Sequence, residues 1–113
     1  MSQNRNKLIE LLISNLSNAI IHSILERSTG KSELSEKYRK ELINSFNIAK
    51  IYREKINPIA KSLPLIDISH IKEKLTRKVN SELILRISKG YNDIDLNSVE
   101  KEVEESLKNL LVI

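Results

Sequence analysis

Between Asn4 and Ser28 the chain reads "NRNKLIELLISNLSNAIIHSILERS", and its apolar side chains return every three or four residues. Leu8, Leu12, Leu16, Ile20 and Ile24 form one row, and Ile9, Ile13 and Ile21 widen it. Returns at mixed steps of three and four trace one face of an α-helix, whereas a strand would need strict alternation, so this stretch reads as helix. The stripe is broad enough to touch two neighbouring helices. Such a helix needs cover, and the rest of the chain has to supply it.

The remaining sequence has the same period. From about Glu33 to Ile56, Leu34, Tyr38, Leu42, Phe46, Ala49 and Tyr52 recur at steps of three and four. A third run carries Ile68, Ile71, Leu75, Val79, Leu83 and Ile87, and a fourth Val99, Val103, Leu107 and Leu110. No segment sustains a period of two, so strands are not expected. The reading is an all-α fold: one domain, residues 1–113, built as a four-helix bundle of two antiparallel hairpins joined by a proline-containing loop. Its helices span about 4–28, 33–56, 68–89 and 98–111.

Punctuation between the runs agrees with this division. Gly30 can supply a left-handed residue to end the first helix, and Ser32 can cap the second. Both prolines of the chain, Pro58 and Pro64, lie in "NPIAKSLPLIDISH" and disfavour helix at the residues before them. Asp67 or Ser69 is then expected to cap helix three, and Gly90 to close it. Asn97 and Glu100 have the spacing of a capping box for helix four, whose first turns are acidic as the helix dipole favours. Pairs such as Glu33 with Lys37, Glu36 with Lys40 and Lys50 with Glu54 support the exposed side of helix two.

At 113 residues without cysteine, the chain can bury a core but has no disulfide, thiolate nucleophile or cysteine-based zinc site. The apolar stretch from Leu8 to Leu25 is interrupted by Glu10, Asn15, Asn18 and His22, against the pattern of a membrane span. It also lacks a signal-peptide cleavage site, and a cytoplasmic protein is expected.

Three stretches imitate known chemistry. "STGKS", Ser28 to Ser32, ends like a phosphate-binding loop, but Leu25 stands where that loop needs glycine and a helix precedes it in place of a strand. Asp93, Asp95, Asn97 and Glu104 fall at positions 1, 3, 5 and 12 of a calcium loop. Ser98 replaces the required glycine, and Lys101 would repel the ion, so the residues read as the acidic start of helix four. His22 lies among apolar residues of helix one and His70 near the start of helix three, and no serine sits on a strained turn beside either. No catalytic, cofactor or metal residue is assigned, and no small-molecule substrate is evident.

The charge is uneven. Residues 1–49 carry 7 basic and 5 acidic side chains, 50–89 carry 10 and 4, and 90–113 carry 2 and 6. The candidate nucleic-acid-binding residues are therefore Lys50, Arg53, Lys55, Lys61, Lys74, Arg77 and Lys78. Glu73 can pair with Arg77, and Glu82 with Lys78, which partly neutralises the patch. Three of the four aromatics lie on the core row of helix two, leaving few to stack on bases, so any contact would be with backbone phosphates.

Residues 68–111, a basic and apolar helix, a short turn and an acidic-capped helix, resemble the helical domain of GINS subunits of the replicative helicase. The small β-domain usual in that family is missing. The small helical subunits of CRISPR effector complexes are similar in size and charge. No motif carries either likeness, and neither is taken as membership. Both imply a non-catalytic subunit of a nucleic-acid machine.

The functional expectation is a non-enzymatic accessory or protein-interaction subunit, a homodimer or bound to a protein partner. The broad stripe of helix one and the terminal Leu110, Leu111, Val112 and Ile113 are the expected interface, because four apolar residues at a terminus need cover. Sequence-independent binding of nucleic-acid backbone is the alternative, and an unrecognised enzyme the third.

Overall fold

Asn4 starts the first helix by folding its side chain back, with Oδ1 accepting the Asn6 N–H at 2.9 Å. The computed structural model describes residues 4–28, 32–57, 63–91 and 93–110. These form α1 at Arg5–Ser28, α2 at Ser32–Ile56, α3 at Leu65–Ser88 and α4 at Val99–Asn109, the last preceded by a short 3-10 turn at Leu96–Ser98, with no strand among the described residues. Gly30 and Pro58 lie outside the described residues.

The first helix is the hub. Helices α2, α3 and α4 all pack against α1, and α3 also packs against α4. Along α1 the side chains of Leu8, Ile9, Leu12, Ile13, Leu16, Ala19, Ile20, Ile21, Ile24 and Leu25 are buried. They join Ile71, Leu75, Val79 and Leu83 of α3 and Val99, Val103 and Leu107 of α4 in one core. Arg5 pairs with Asp67, so α1 and α3 begin at the same end. Arg27 at the other end of α1 reaches Glu102 of α4 at 2.7 Å, and Lys72 reaches Glu104 at 3.4 Å. By length and composition α1 would also suit a membrane span, contrary to the expectation from its polar interruptions, although most of that stretch is buried inside the protein.

Helix α2 departs from its expected role as a second core helix. Only Ala49 and Arg53 are fully buried on it. Tyr38, Phe46, Tyr52 and Ile56 pack against the core from its edge, and Leu34 is exposed. The cause is the number of neighbours: α2 has one extensive packing partner, α1, so its apolar row is covered from one side only.

Two helix starts differ from the sequence reading. Pro64 itself is the cap residue of α3, its carbonyl accepting the N–H groups of Asp67 and Ile68 at 3.0 Å each. Leu65 and Ile66, the first helical residues, therefore stand exposed, and Asp67 lies in the first turn. A first turn needs no intrahelical N–H donors, so a preceding proline costs the helix nothing. Before α4, Ser98 and not Asn97 stands at the cap position, without a side-chain bond, while Asp95 caps the preceding 3-10 turn, its Oδ1 accepting the Asn97 N–H at 2.9 Å. The end of α3 is as expected. Gly90, at φ 106°, lets the Tyr91 N–H reach the Arg86 carbonyl at 3.2 Å and its own N–H reach that of Ile87 at 3.1 Å.

Candidate functional site

On α3, His70, Lys74 and Lys78 follow one another at steps of four, so they form one row flanking the buried Leu75 and Val79. Because α1 and α3 start at the same end, this row faces the start of α1. Lys7, Glu10, Leu11 and Ser14 of α1 meet it across an open groove of about 450 Å³. Three lysines and one histidine thus converge around a single carboxylate, Glu10. Lys78 also borders the next groove along, about 260 Å³, lined by Ser17, Asn18, His22, Glu82 and Arg86.

The structure sorts the sequence candidates into several places. Lys74 and Lys78 belong to the groove just described. Arg77 points elsewhere and is held by Glu73 at 2.7 Å. Glu82 pairs with Arg86 at 3.4 Å, not with Lys78, so Lys78 keeps its charge for the groove. Lys50 and Lys55 are exposed on α2, Lys55 lying 5.6 Å from the centre of the Tyr52 ring. Lys61 lies outside the described residues.

Arg53 is a correction. It is 0% exposed, and its guanidinium donates to the Asn57 side-chain oxygen at 2.5 Å and to the Asn57 carbonyl at 3.3 Å. Burial lowers its pKa from the ordinary arginine value. A buried guanidinium cannot meet a phosphate at the surface, so Arg53 ties the end of α2 together instead. Its position four residues after Ala49 already placed it on the buried row.

Leu110 is a second correction. It is 1% exposed and belongs to the chain's own core, where its N–H reaches the Ser106 carbonyl at 3.1 Å. Leu111, Val112 and Ile113 lie outside the described residues. The broad stripe of α1, the other expected interface, is likewise consumed internally.

The histidines occupy different grooves. His22 is fixed between α1 and α2, with Nδ1 at 2.7 Å from the Asn18 carbonyl and Nε2 at 2.7 Å from Glu41 Oε2. Tyr38 lies beside it, ring centres 6.0 Å apart. Burial chiefly, and then the neighbouring Tyr91, hold the Tyr38 phenol above its ordinary pKa of 10.0, while Arg86 opposes them. The calcium-like set is dispersed: Asp95 is spent on its cap and Glu104 on Lys72. Among the described residues no three acidic or histidine side chains are grouped to hold a metal ion.

The sequence reading missed Lys7 and the part His70 plays beside the lysines. The row of His70, Lys74 and Lys78 was legible from spacing, but Lys7 joins it only through the packing of α1 on α3. No family profile, curated protein or solved structure matches this chain.

Proposed function

We propose that this protein is a non-catalytic interaction subunit: one helical domain, a bundle of the hairpins α1/α2 and α3/α4, that works by binding other protein chains, its own copies first. The observation that carries this reading is the outer face of α2. Residues 42–49, "LINSFNIA", contain no charge, and Ile43 and the nearby Ile51 remain 51% and 52% exposed. Large apolar side chains exposed around the uncharged centre of a helix face are what association covers. Light scattering on the wild type and on Ile43→Glu/Ile51→Glu tests it. A mass above one chain that falls to one chain in the variant, with helicity retained, supports the reading. A wild type that stays at one chain at every concentration overturns it.

The converging cations support a second reading, binding of nucleic-acid backbone. Lys7, His70, Lys74 and Lys78 around the 450 Å³ groove would contact phosphates without reading bases. Gel retardation across a salt series is the measurement. Lys7→Ala/Lys74→Ala/Lys78→Ala should weaken binding evenly across sequences and reduce the salt slope by about 3 if each lysine neutralises one phosphate. Unchanged retardation by the variant would remove the groove from consideration.

A further inference from the structure

We propose that α2 pairs with the α2 of a second copy of this chain, antiparallel, across a two-fold axis that passes at Asn47. This rests on the reading of α2 as the interaction face and names its occupant.

The argument is one of self-complementarity. At 100° per residue, Lys40, Ile43, Asn47, Ile51 and Glu54 fall within a stripe about 80° wide on the side of α2 turned away from α1. All five are exposed. Lys40 and Glu54 each lie seven residues from Asn47, and Ile43 and Ile51 each lie four. Antiparallel pairing across a two-fold axis superposes positions equally far from the centre. Lys40 of one copy then meets Glu54 of the other, Ile43 meets Ile51, and Asn47 meets its own counterpart. Each contact occurs twice except the last.

Every match is favourable. The lysine and glutamate are of opposite sign, and Glu54 makes no ion pair among the described residues. Lys40 has only a loose surface pair, 3.8 Å from Glu36, so it is free to turn to a partner. The isoleucines form two apolar layers flanking the centre. An amide has both donor and acceptor, so two Asn47 side chains can hydrogen-bond reciprocally, and one polar residue in an apolar seam fixes its register. A shift of one turn would break the match at all three levels together. The strip from Lys40 to Glu54 is about 21 Å long, which suits a weak, concentration-dependent dimer.

Charge exchange tests this pairing specifically. Lys40→Glu alone places four carboxylates opposite one another in two pairs, and Glu54→Lys alone does the same with ammonium groups. Each single variant should dimerise about tenfold more weakly than the wild type. Mixed together, the two variants should recover wild-type affinity as a heterodimer, because both pairs are restored. A second test uses Asn47→Cys, in a chain that otherwise has no cysteine. Helices packed about 8–10 Å apart bring Cα atoms facing the axis to within roughly 3–5 Å, overlapping the range a disulfide spans. Mild oxidation should therefore yield a covalent dimer of the folded protein, and Asn44→Cys should yield much less. Circular dichroism of each variant confirms that helicity is kept.

The failures are distinguishable. If Ile43→Glu/Ile51→Glu abolishes association while the mixture gains nothing and Asn47→Cys does not cross-link, α2 remains the interaction face and the two-fold pairing is wrong. A wild type that is one chain at all concentrations, with no cross-link from Asn47→Cys, overturns both.

Discussion

Helices α1 and α2 are almost equal in length, 24 and 25 residues, yet the structure buries eleven residues of the first and two of the second. From Leu11 to Leu25 the first carries no lysine, arginine, aspartate or glutamate, whereas the second carries charges at both ends of a neutral centre. Their periodicity is the same; their surroundings are not. Helix α1 has three neighbours, and α2 has one extensive contact. A helical stripe announces which face is apolar, while the number of helices laid against it decides how much of that face leaves water. The uncovered remainder on α2 is its outer face, where Ile43 and Ile51 stay half exposed.

The largest effect that sharpens this contrast is expected from the centre of α1. Leu16 is 0% exposed, so Leu16→Ala should lower unfolding stability by about 2–5 kcal/mol, measured by urea titration followed by circular dichroism. A loss below about 1 kcal/mol would mean that α1 is less tightly enclosed than its burial implies.

The buried end of α2 comes next. Arg53→Lys keeps the charge but loses the planar guanidinium that reaches both oxygens of Asn57. A cost of about 1.5–3 kcal/mol is expected in the same titration, since these are hydrogen bonds from a charged group. Retardation of nucleic acid should be unchanged, in contrast to the lysine variants of the groove. If Arg53→Lys weakens nucleic-acid binding without loss of stability, the guanidinium is not the interior anchor described here.

Alkaline pH gives a smaller effect. Because the folded state holds the Tyr38 phenol above its ordinary pKa of 10.0, the folded state favours the protonated ring more than the unfolded chain does. That contribution is whole below the unfolded value and is lost as pH rises through the folded one. Stability should therefore fall above about pH 10, and Tyr38→Phe should fall less steeply over the same window. Identical alkaline slopes for the two proteins would show that the seat of Tyr38 on α1 is looser than its burial suggests.

The smallest expected change is Ile43→Ala on the outer face of α2. At concentrations where the protein is a single chain, it should alter stability by no more than about 0.5 kcal/mol, because the side chain is half exposed. A loss as large as that of Leu16→Ala would erase the distinction between the two helices.

Much of this was legible in the residues. The four helices, the Gly90 stop and the inward rows of α1, α3 and α4 follow from spacing and local chemistry. The start of α3 was displaced because a proline was read only as a breaker, although the residue before a first turn loses nothing by lacking an N–H. The cap of α4 differs because a 3-10 turn at Leu96–Ser98 precedes the helix: Asn97 lies inside that turn, Asp95 caps it, and only the backbone path makes that choice. At the basic groove, His70, Lys74 and Lys78 could be lined up by counting, while Lys7 could not be added to them.

What the sequence determined by itself is local: which segments are helical, which face of each is apolar, and that the middle is basic and the end acidic. These depend on propensities and on the helical period, which act within a few residues. The tertiary structure alone decided that α1 would be enclosed by three helices, that α2 would be covered from one side only, and that Lys7 would meet Lys74. Those outcomes depend on which side chains distant in the chain compete for the same buried space, and burial is settled by the whole arrangement of neighbours.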